Sequence, residues 1–282
     1  MPQFNLGLKP AQVEITLTPG KSYTQAFEVT NNSNDPVVLT SSVSAWQPLD
    51  NLGHIRHQTI DRLPFNFSLV NSDLRLGQEF ILAPHQSRQL VLKIDNPETR
   101  NIDHYFSFFL SQQPSLLQNG QNLAKIGANI LISTSTESVL APLKIDFINL
   151  SPRLKDTFLN LNITGQISNP STRFSHLQGK ITLKKSNEIL WEKDIYPYTV
   201  LSQNSRQIFC VTEDKHPKDC RVPAPLWPGK YQLEIRQNPS TPNPDYISTF
   251  FVFPYLLSFL ILFMFLFLYL IVKNYQTRSS KA

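Results

Sequence analysis

Two cysteines ten positions apart, Cys210 and Cys220, are the pair in this 282-residue sequence with the most chemistry open to it. Such a pair can form a disulfide, remain two thiols or supply half of a metal site. A structural zinc centre needs about four ligands. Of the histidines only His216 lies between the cysteines, so a metal is disfavoured. The choice between bridge and thiols follows the compartment: a bridge outside the cell, thiols in the cytosol. Outside, a bridge closing so short a loop stabilises by roughly 2–4 kcal/mol, mainly by restricting the unfolded chain. The interval CVTEDKHPKDC holds five charged residues, one His and one Pro between the cysteines. It reads as a solvated hairpin tip pinned at its base. Stapled in this way, it also offers a partner a rigid charged contact that loses little entropy on binding.

The histidines invite a metal or catalytic reading. His54 and His57 lie three positions apart with Asp50 and Asp61 nearby, but on a strand that spacing sends side chains to opposite faces. His85 stands in a Pro-led turn and His104 just before an apolar run. Neither adjoins a Ser or Cys in a nucleophile motif, and no G-x-S-x-G or H-E-x-x-H occurs. Nine dispersed glycines build no phosphate loop. The expectation is no catalytic residue, no cofactor, no metal and no enzyme. Asn31, Asn66, Asn149 and Asn162 open N-x-[ST] sequons, to which no functional weight is given.

The segments that carry these residues are strand-like: nearly all of residues 1–249 alternates with period two, the mark of half-buried strands. Val13, Ile15 and Leu17 precede a Pro19-Gly20 turn, after which Tyr23, Phe27 and Val29 resume the stripe. Residues 31–36 (NNSNDP) form a dense turn signal before Val37, Leu39, Val43 and Ala45. Leu90, Leu92 and Ile94 make a further stripe, as do Ile126, Ala128, Ile130 and Ile132. Tyr105 to Leu110 is almost continuously apolar, which suits a central strand covered on both faces. A polar, Pro-terminated break (STSTESVLAP) falls near residues 133–142. Strand patterning then restarts at Leu143, Ile145 and Phe147 and runs to a Trp227-Pro228-Gly229-Lys230-Tyr231 turn, where the Tyr can anchor a sheet edge. The expected fold is therefore all-β: two tandem antiparallel β-sandwiches over 1–141 and 142–249, the second carrying the Cys210–Cys220 loop.

Residues 250–272 read FFVFPYLLSFLILFMFLFLYLIV, 23 positions without a charge. About 20 suffice to cross the hydrocarbon core as a helix, so one C-terminal transmembrane α-helix is expected there. Apolarity on every face argues against a soluble core helix. The tail at 273–282 carries Lys273, Arg278 and Lys281 and no acid, while the stretch before the run carries one acid and no base. The positive-inside bias then places a basic tail in the cytoplasm and the sandwiches outside, with the second close to the bilayer. Away from the tail the bases and acids nearly balance, and no Lys/Arg stripe with interleaved aromatics appears, so no nucleic-acid partner is expected. Export normally requires a signal peptide, and MPQFNLGLKPAQ has neither a basic n-region nor an apolar h-region. The expectation is a mature or truncated form, the alternative a tail-anchored protein whose sandwich stays in the cytosol.

The first domain resembles the Ig-like modules of pilus chaperones. Residues 7–39 (GLKPAQVEITLTPGKSYTQAFEVTNNSNDPVVL) and 82–98 (LAPHQSRQLVLKIDNPE) carry that resemblance. The layout also resembles bacterial WxL-interacting proteins, in which an Ala and then Asn-x-Gly-x-Ile follow the third strand. Here Ala45 is followed, after a longer gap, by Asn51-Leu52-Gly53-His54-Ile55. That resemblance implies attachment at the cell envelope and a partner that is a surface protein or a cell-wall polymer. The leading functional expectation is a membrane-anchored extracellular binding or scaffold protein. The alternatives are an envelope chaperone that lends a strand to a subunit, for which no Arg/Lys pair is suitably placed, and a tail-anchored contact-site protein.

Overall fold

A computed structural model of the protein describes residues 5–58, 63–97, 102–113, 124–134, 141–186, 188–214, 216–224, 226–238, 241 and 243–279. Among them the chain is mostly β-sheet, with one C-terminal helix. Contacts divide it into two units. The first holds residues 1–142 with 170–175 and 201–204; the second holds 143–169, 176–200 and 205–282. Sequence patterning alone assigns both short segments of the first unit to the second domain.

The strands of the first unit are β1 (Leu6–Lys9), β2 (Gln12–Thr16), β3 (Ser22–Asn31), β4 (Val37–Pro48) and β5 (Ile55–Gln58). They continue with β6 (Asn66–Leu69), β7 (Glu79–Leu82), β8 (Ser87–Asp95), β9 (Asp103–Gln112) and β10 (Lys125–Ser133). One sheet runs β1-β3-β8-β6, the other β2-β10-β9-β4-β5, with β7 also on β4. Alternation feeds one core from both sheets. Phe27 and Phe108 stack with centroids 4.9 Å apart, surrounded by buried Leu39, Leu90, Leu92, Ile130 and Ile132. Polar residues close the loops. Buried Asn31 donates to the carbonyls of Asp35, Leu82 and Ala83, so this sequon asparagine serves as a turn clamp.

Strand β2 departs from the expected antiparallel pattern: it lies parallel to β10. Pro10, which has no amide hydrogen to offer a ladder, divides the first extended stretch. The half before it pairs with β3 in one sheet, and the half after it runs beside β10 in the other.

Twelve strands follow: β11 (Lys144–Ser151), β12 (Leu161–Ser168), β13 (Ser175–His176), β14 (Lys180–Lys185), β15 (Glu188–Tyr196) and β16 (Thr199–Val200). The rest are β17 (Ser205–Gln207), β18 (Phe209–Val211), β19 (Pro217–Lys218), β20 (Cys220–Val222), β21 (Gly229–Arg236) and β22 (Tyr246–Val252). One sheet of the second unit runs β11-β12-β17 with β20 also on β12; the other runs β19-β18-β15-β14-β21-β22. A ribbon of β13 and β16 stands apart from both. Leu161, Ile163 and Ile167 face a core with Ile181, Leu183, Leu233 and Ile235. Tyr231 is buried there, and its hydroxyl donates to the Trp227 carbonyl at 2.6 Å, anchoring the turn into β21.

The helix, α1, spans Tyr255–Ser279. This corrects the expected start at residue 250. Phe250, Phe251 and Val252 belong to β22, paired with Tyr231, Lys230 and Gly229 of β21. Pro254 ends the ladder and leads directly into the helix. An apolar strand adjoining an apolar helix shows no polarity boundary in sequence, and only the pairing with β21 separates them.

Candidate functional site

From Tyr255 up to Lys273, α1 is apolar and long enough to cross a membrane, and none of the residues in that stretch is buried in protein. Its 19 residues extend about 28 Å at 1.5 Å per residue, close to the roughly 30 Å hydrocarbon core.

The first turn of this helix is held by the sandwich. The Ser258 amide donates to the Pro254 carbonyl at 2.9 Å, so Pro254 occupies the cap position. A proline has no side-chain oxygen for the orphan amides of the first turn, a task that Ser, Thr, Asp or Asn usually performs. Asp156, a hundred residues earlier in the β11–β12 connection, takes it over. Its Oδ2 accepts from the Leu256 amide at 2.7 Å and its Oδ1 from the Phe158 amide at 2.9 Å. Asp156 is buried and forms a parallel bridge with Phe253, while the Phe253 amide donates to the Lys155 carbonyl at 3.0 Å. The Leu226 amide donates to the Thr157 carbonyl at 2.8 Å, joining the turn before β21 to the same loop. Lys155 braces the loop from within, its Nζ donating to the Leu150 carbonyl at 2.5 Å and to that of Pro152. Burial lowers the pKa of this ammonium.

Around the junction the unit exposes large apolar side chains. Trp227 is 79% exposed, Leu154 61%, Phe251 57% and Phe158 55%, with Leu159 and Phe253 also open. Along β22, Phe250 and Val252 turn inward, Phe250 stacking on Tyr231, while Phe251 and Phe253 turn outward. Sequence reading missed Asp156 and this collar. Nothing local marks an Asp as the cap of a helix a hundred residues on, and an exposed Phe on an edge strand looks like any other strand phenylalanine.

Cys210 and Cys220 are bonded and both buried. Cys210 lies on β18, paired with β15, and Cys220 on β20, opposite Ile163 of β12. The bridge therefore ties the two sheets of the second unit, rather than pinning only the base of a hairpin. The tip beyond it is closed by the Thr212 amide and hydroxyl, both donating to the His216 carbonyl at 3.0 and 2.8 Å.

The histidines scatter. Asp50 builds a turn, its Oδ1 accepting from the Leu52, Gly53 and His54 amides while Oδ2 meets His54 Nδ1 at 2.6 Å. The hydrogen bond with the His54 side chain holds the Asp50 carboxyl below its ordinary value. The Asn-x-Gly-x-Ile run thus forms the β4–β5 connection, with Gly53 at φ 103°. His57 meets the Phe109 ring edge-on at 4.9 Å, and Lys125 Nζ lies 3.5 Å from that ring's centroid. Burial, and then the Lys125 charge, lower the His57 pKa. Gly127 makes room for the ring, since a Cβ there would meet Phe109 at 2.6 Å. His85 Nε2 pairs with Asn34 Oδ1 at 3.0 Å, and His104 meets the Phe65 ring at 5.1 Å. Asp61 lies outside the described residues. Among the described residues no three His, Cys, Asp or Glu side chains converge on a metal position.

No protein-family model and no curated protein matches this chain. Among solved structures it is similar to the class 5 fimbriae chaperone CfaA, at 13% identity and a TM-score of 0.43, over 89% of this chain and 100% of that one. A chain from a chaperone–tip adhesin complex of CFA/I fimbriae biogenesis gives 13% identity and 0.41, over 89% and 99%. The E. coli chaperone DraB gives 16% identity and 0.37, over 88% and 98%. The resemblance to pilus-chaperone-like modules is thus shared with solved structures, and that to WxL-interacting proteins is not shown.

Proposed function

We propose that this chain is a non-enzymatic, membrane-anchored binding protein that presents its two sandwiches outside the cell to a surface protein or an envelope polymer. The observation that carries this reading is α1: from Tyr255 up to Lys273 it is apolar, none of its residues is buried in protein, and it is continuous with a folded sandwich through Pro254. The bonded pair Cys210–Cys220 favours an oxidising compartment. Lys273, Arg278 and Lys281 favour a cytoplasmic tail. Sandwich edges and end loops are surfaces through which such units take up protein strands or polymer.

The test is topology in intact cells. An external protease is expected to digest the sandwiches and spare an epitope appended after Ala282. An impermeant label reaching that epitope without permeabilisation would reverse the orientation and remove the extracellular role.

A further inference from the structure

We propose that the apolar collar of the second unit (Leu154, Phe158, Leu159, Trp227, Phe251 and Phe253) is a lipid-docking surface that settles at the headgroup level and holds the sandwich in a fixed attitude on the bilayer. This deepens the membrane-anchored reading and rests on it. The argument is one of distance. With residues 255–273 filling the hydrocarbon core, the Leu256 amide lies at its outer boundary. The Asp156 carboxylate is 2.7 Å from that amide, so the loop carrying it is held at the same depth. Leu154 and Phe158 flank Asp156 by two residues on either side and are exposed. Phe253 and Phe251 precede the helix by two and four residues. At about 3.3 Å per strand residue the nearer lies about 7 Å out, at the edge of an interfacial layer of roughly 5–7 Å, and the farther, about 13 Å along the strand, reaches that layer where β22 runs oblique to the bilayer normal. Trp227 follows Leu226, whose amide is bonded to Thr157 of the same loop.

Lipid is the occupant that continuity selects, because the collar merges with the apolar surface of α1, where Leu256 and Leu257 are also exposed. Aromatic residues concentrate at this depth in membrane proteins, apolar body toward the chains and polar edge toward water. Exposed Arg153 and Lys230 stand beside Leu154 and opposite Phe251, where their charges suit headgroup phosphates. Asp156, which lipid would penalise, is buried in protein and spends its carboxylate on two amides.

The test uses the full chain in nanodiscs of phosphatidylcholine and phosphatidylglycerol, with acyl chains brominated either near the headgroup or deep. The substitutions Trp46→Phe and Trp191→Phe leave Trp227 as the sole tryptophan. Its emission is expected to fall by about half with the shallow bromines, and little with the deep ones, as for an indole at the interface. Emission that ignores both lipids but is quenched by aqueous iodide would overturn the proposal. So would emission reached by neither quencher, which would mean that protein, a second copy or another chain, covers the collar. If the double substitution fails to fold, the quenched fraction lost on Trp227→Phe in the otherwise native chain decides between the same outcomes. A companion chain, W46F/W191F/W227F/F263W, separates the two readings. Quenching of F263W by deep bromines with Trp227 unquenched sinks the collar alone, and no quenching of F263W sinks the spanning helix as well.

Discussion

In the first unit the space between the sheets is filled by aromatic rings: Phe27, Phe65, Phe80, Phe106 and Phe108 are all buried in one cluster. In the second the corresponding cluster is aliphatic, with Tyr231 as its buried aromatic and Phe250 and Trp191 only partly covered. The second unit adds what the first does without, a covalent tie between its sheets at Cys210–Cys220. Two sandwiches of similar architecture thus reach closure by different routes. A large side chain contributes area and contacts from one position, and leaves a large void when removed. A staple contributes by restricting the unfolded chain, and its loss leaves the packing in place. The first unit should therefore be sensitive to truncation, the second to reduction.

The largest effect should come from Phe108→Ala. Phe108 is fully buried and stacked on Phe27, and truncation of such a ring costs about 3–5 kcal/mol. Hydrogen exchange of the full chain in nanodiscs should show lost protection in β3, β8, β9 and β10, with β12, β14 and β21 unchanged. Equal loss in both sets would merge the two units into one cooperative block. Next in size is Cys210→Ser with Cys220→Ser, expected to cost the second unit about 2–4 kcal/mol. Reducing agent added to the native chain should lower its melting temperature by the same amount as the double substitution. No change under reduction would show that the packing of β12 against β18 suffices without the bond.

Much of this contrast is legible in the sequence. Alternation locates the stripes of β2, β8 and β10, and the run from Tyr105 to Leu110 reads correctly as the centre of a sheet, because side-chain period is a local property. The Tyr231 anchor is legible from its Pro-Gly turn. What cannot be read there is non-local. Whether β10 takes β2 as a parallel neighbour depends on where Pro10 releases the chain. Whether the cysteines join one hairpin or two sheets depends on β20 crossing to β12, and the spacing of ten residues is the same in either case. The Asp156 cap and the collar belong to this class: both exist only once residues 154–158, 226–227 and 251–256 have met.

Asp156→Ala sharpens the comparison at an intermediate scale, because among its described residues the first unit has no helix to hold. Loss of the capping carboxylate should cost about 1–2 kcal/mol, seen as faster exchange at the Leu256 and Phe158 amides while the rest of β21 and β22 stays protected. Asp156→Asn keeps an acceptor and should recover part of that protection. If both variants exchange like the native chain, the helix is held by lipid and the Phe253 bridge without help from the carboxylate.

The smallest effect sets one buried acid of each unit against the other. Burial pushes the Asp103 carboxyl above the usual aspartate value, against the opposing pull of hydrogen bonds such as that from the Phe174 amide at 2.5 Å. Burial also pulls Glu234 upward, but Lys184 at 2.7 Å and Arg236 at 3.2 Å win and hold it below its ordinary value. Asp103 binds its proton more tightly folded than unfolded, so its contribution is fully present below about pH 4 and is lost as pH rises through the raised value. Glu234 does the reverse: its contribution is present above about pH 4.3 and disappears as pH falls through the lowered value. Between pH 6 and pH 3 the first unit should gain from Asp103 while the second loses from Glu234. Asp103→Asn should flatten the slope in β9 and β10 alone, and Glu234→Gln that in β14 and β21 alone. Parallel slopes in the two units, unmoved by either substitution, would mean that the acid response comes from the surface charge as a whole and that these two carboxylates do not distinguish the sandwiches.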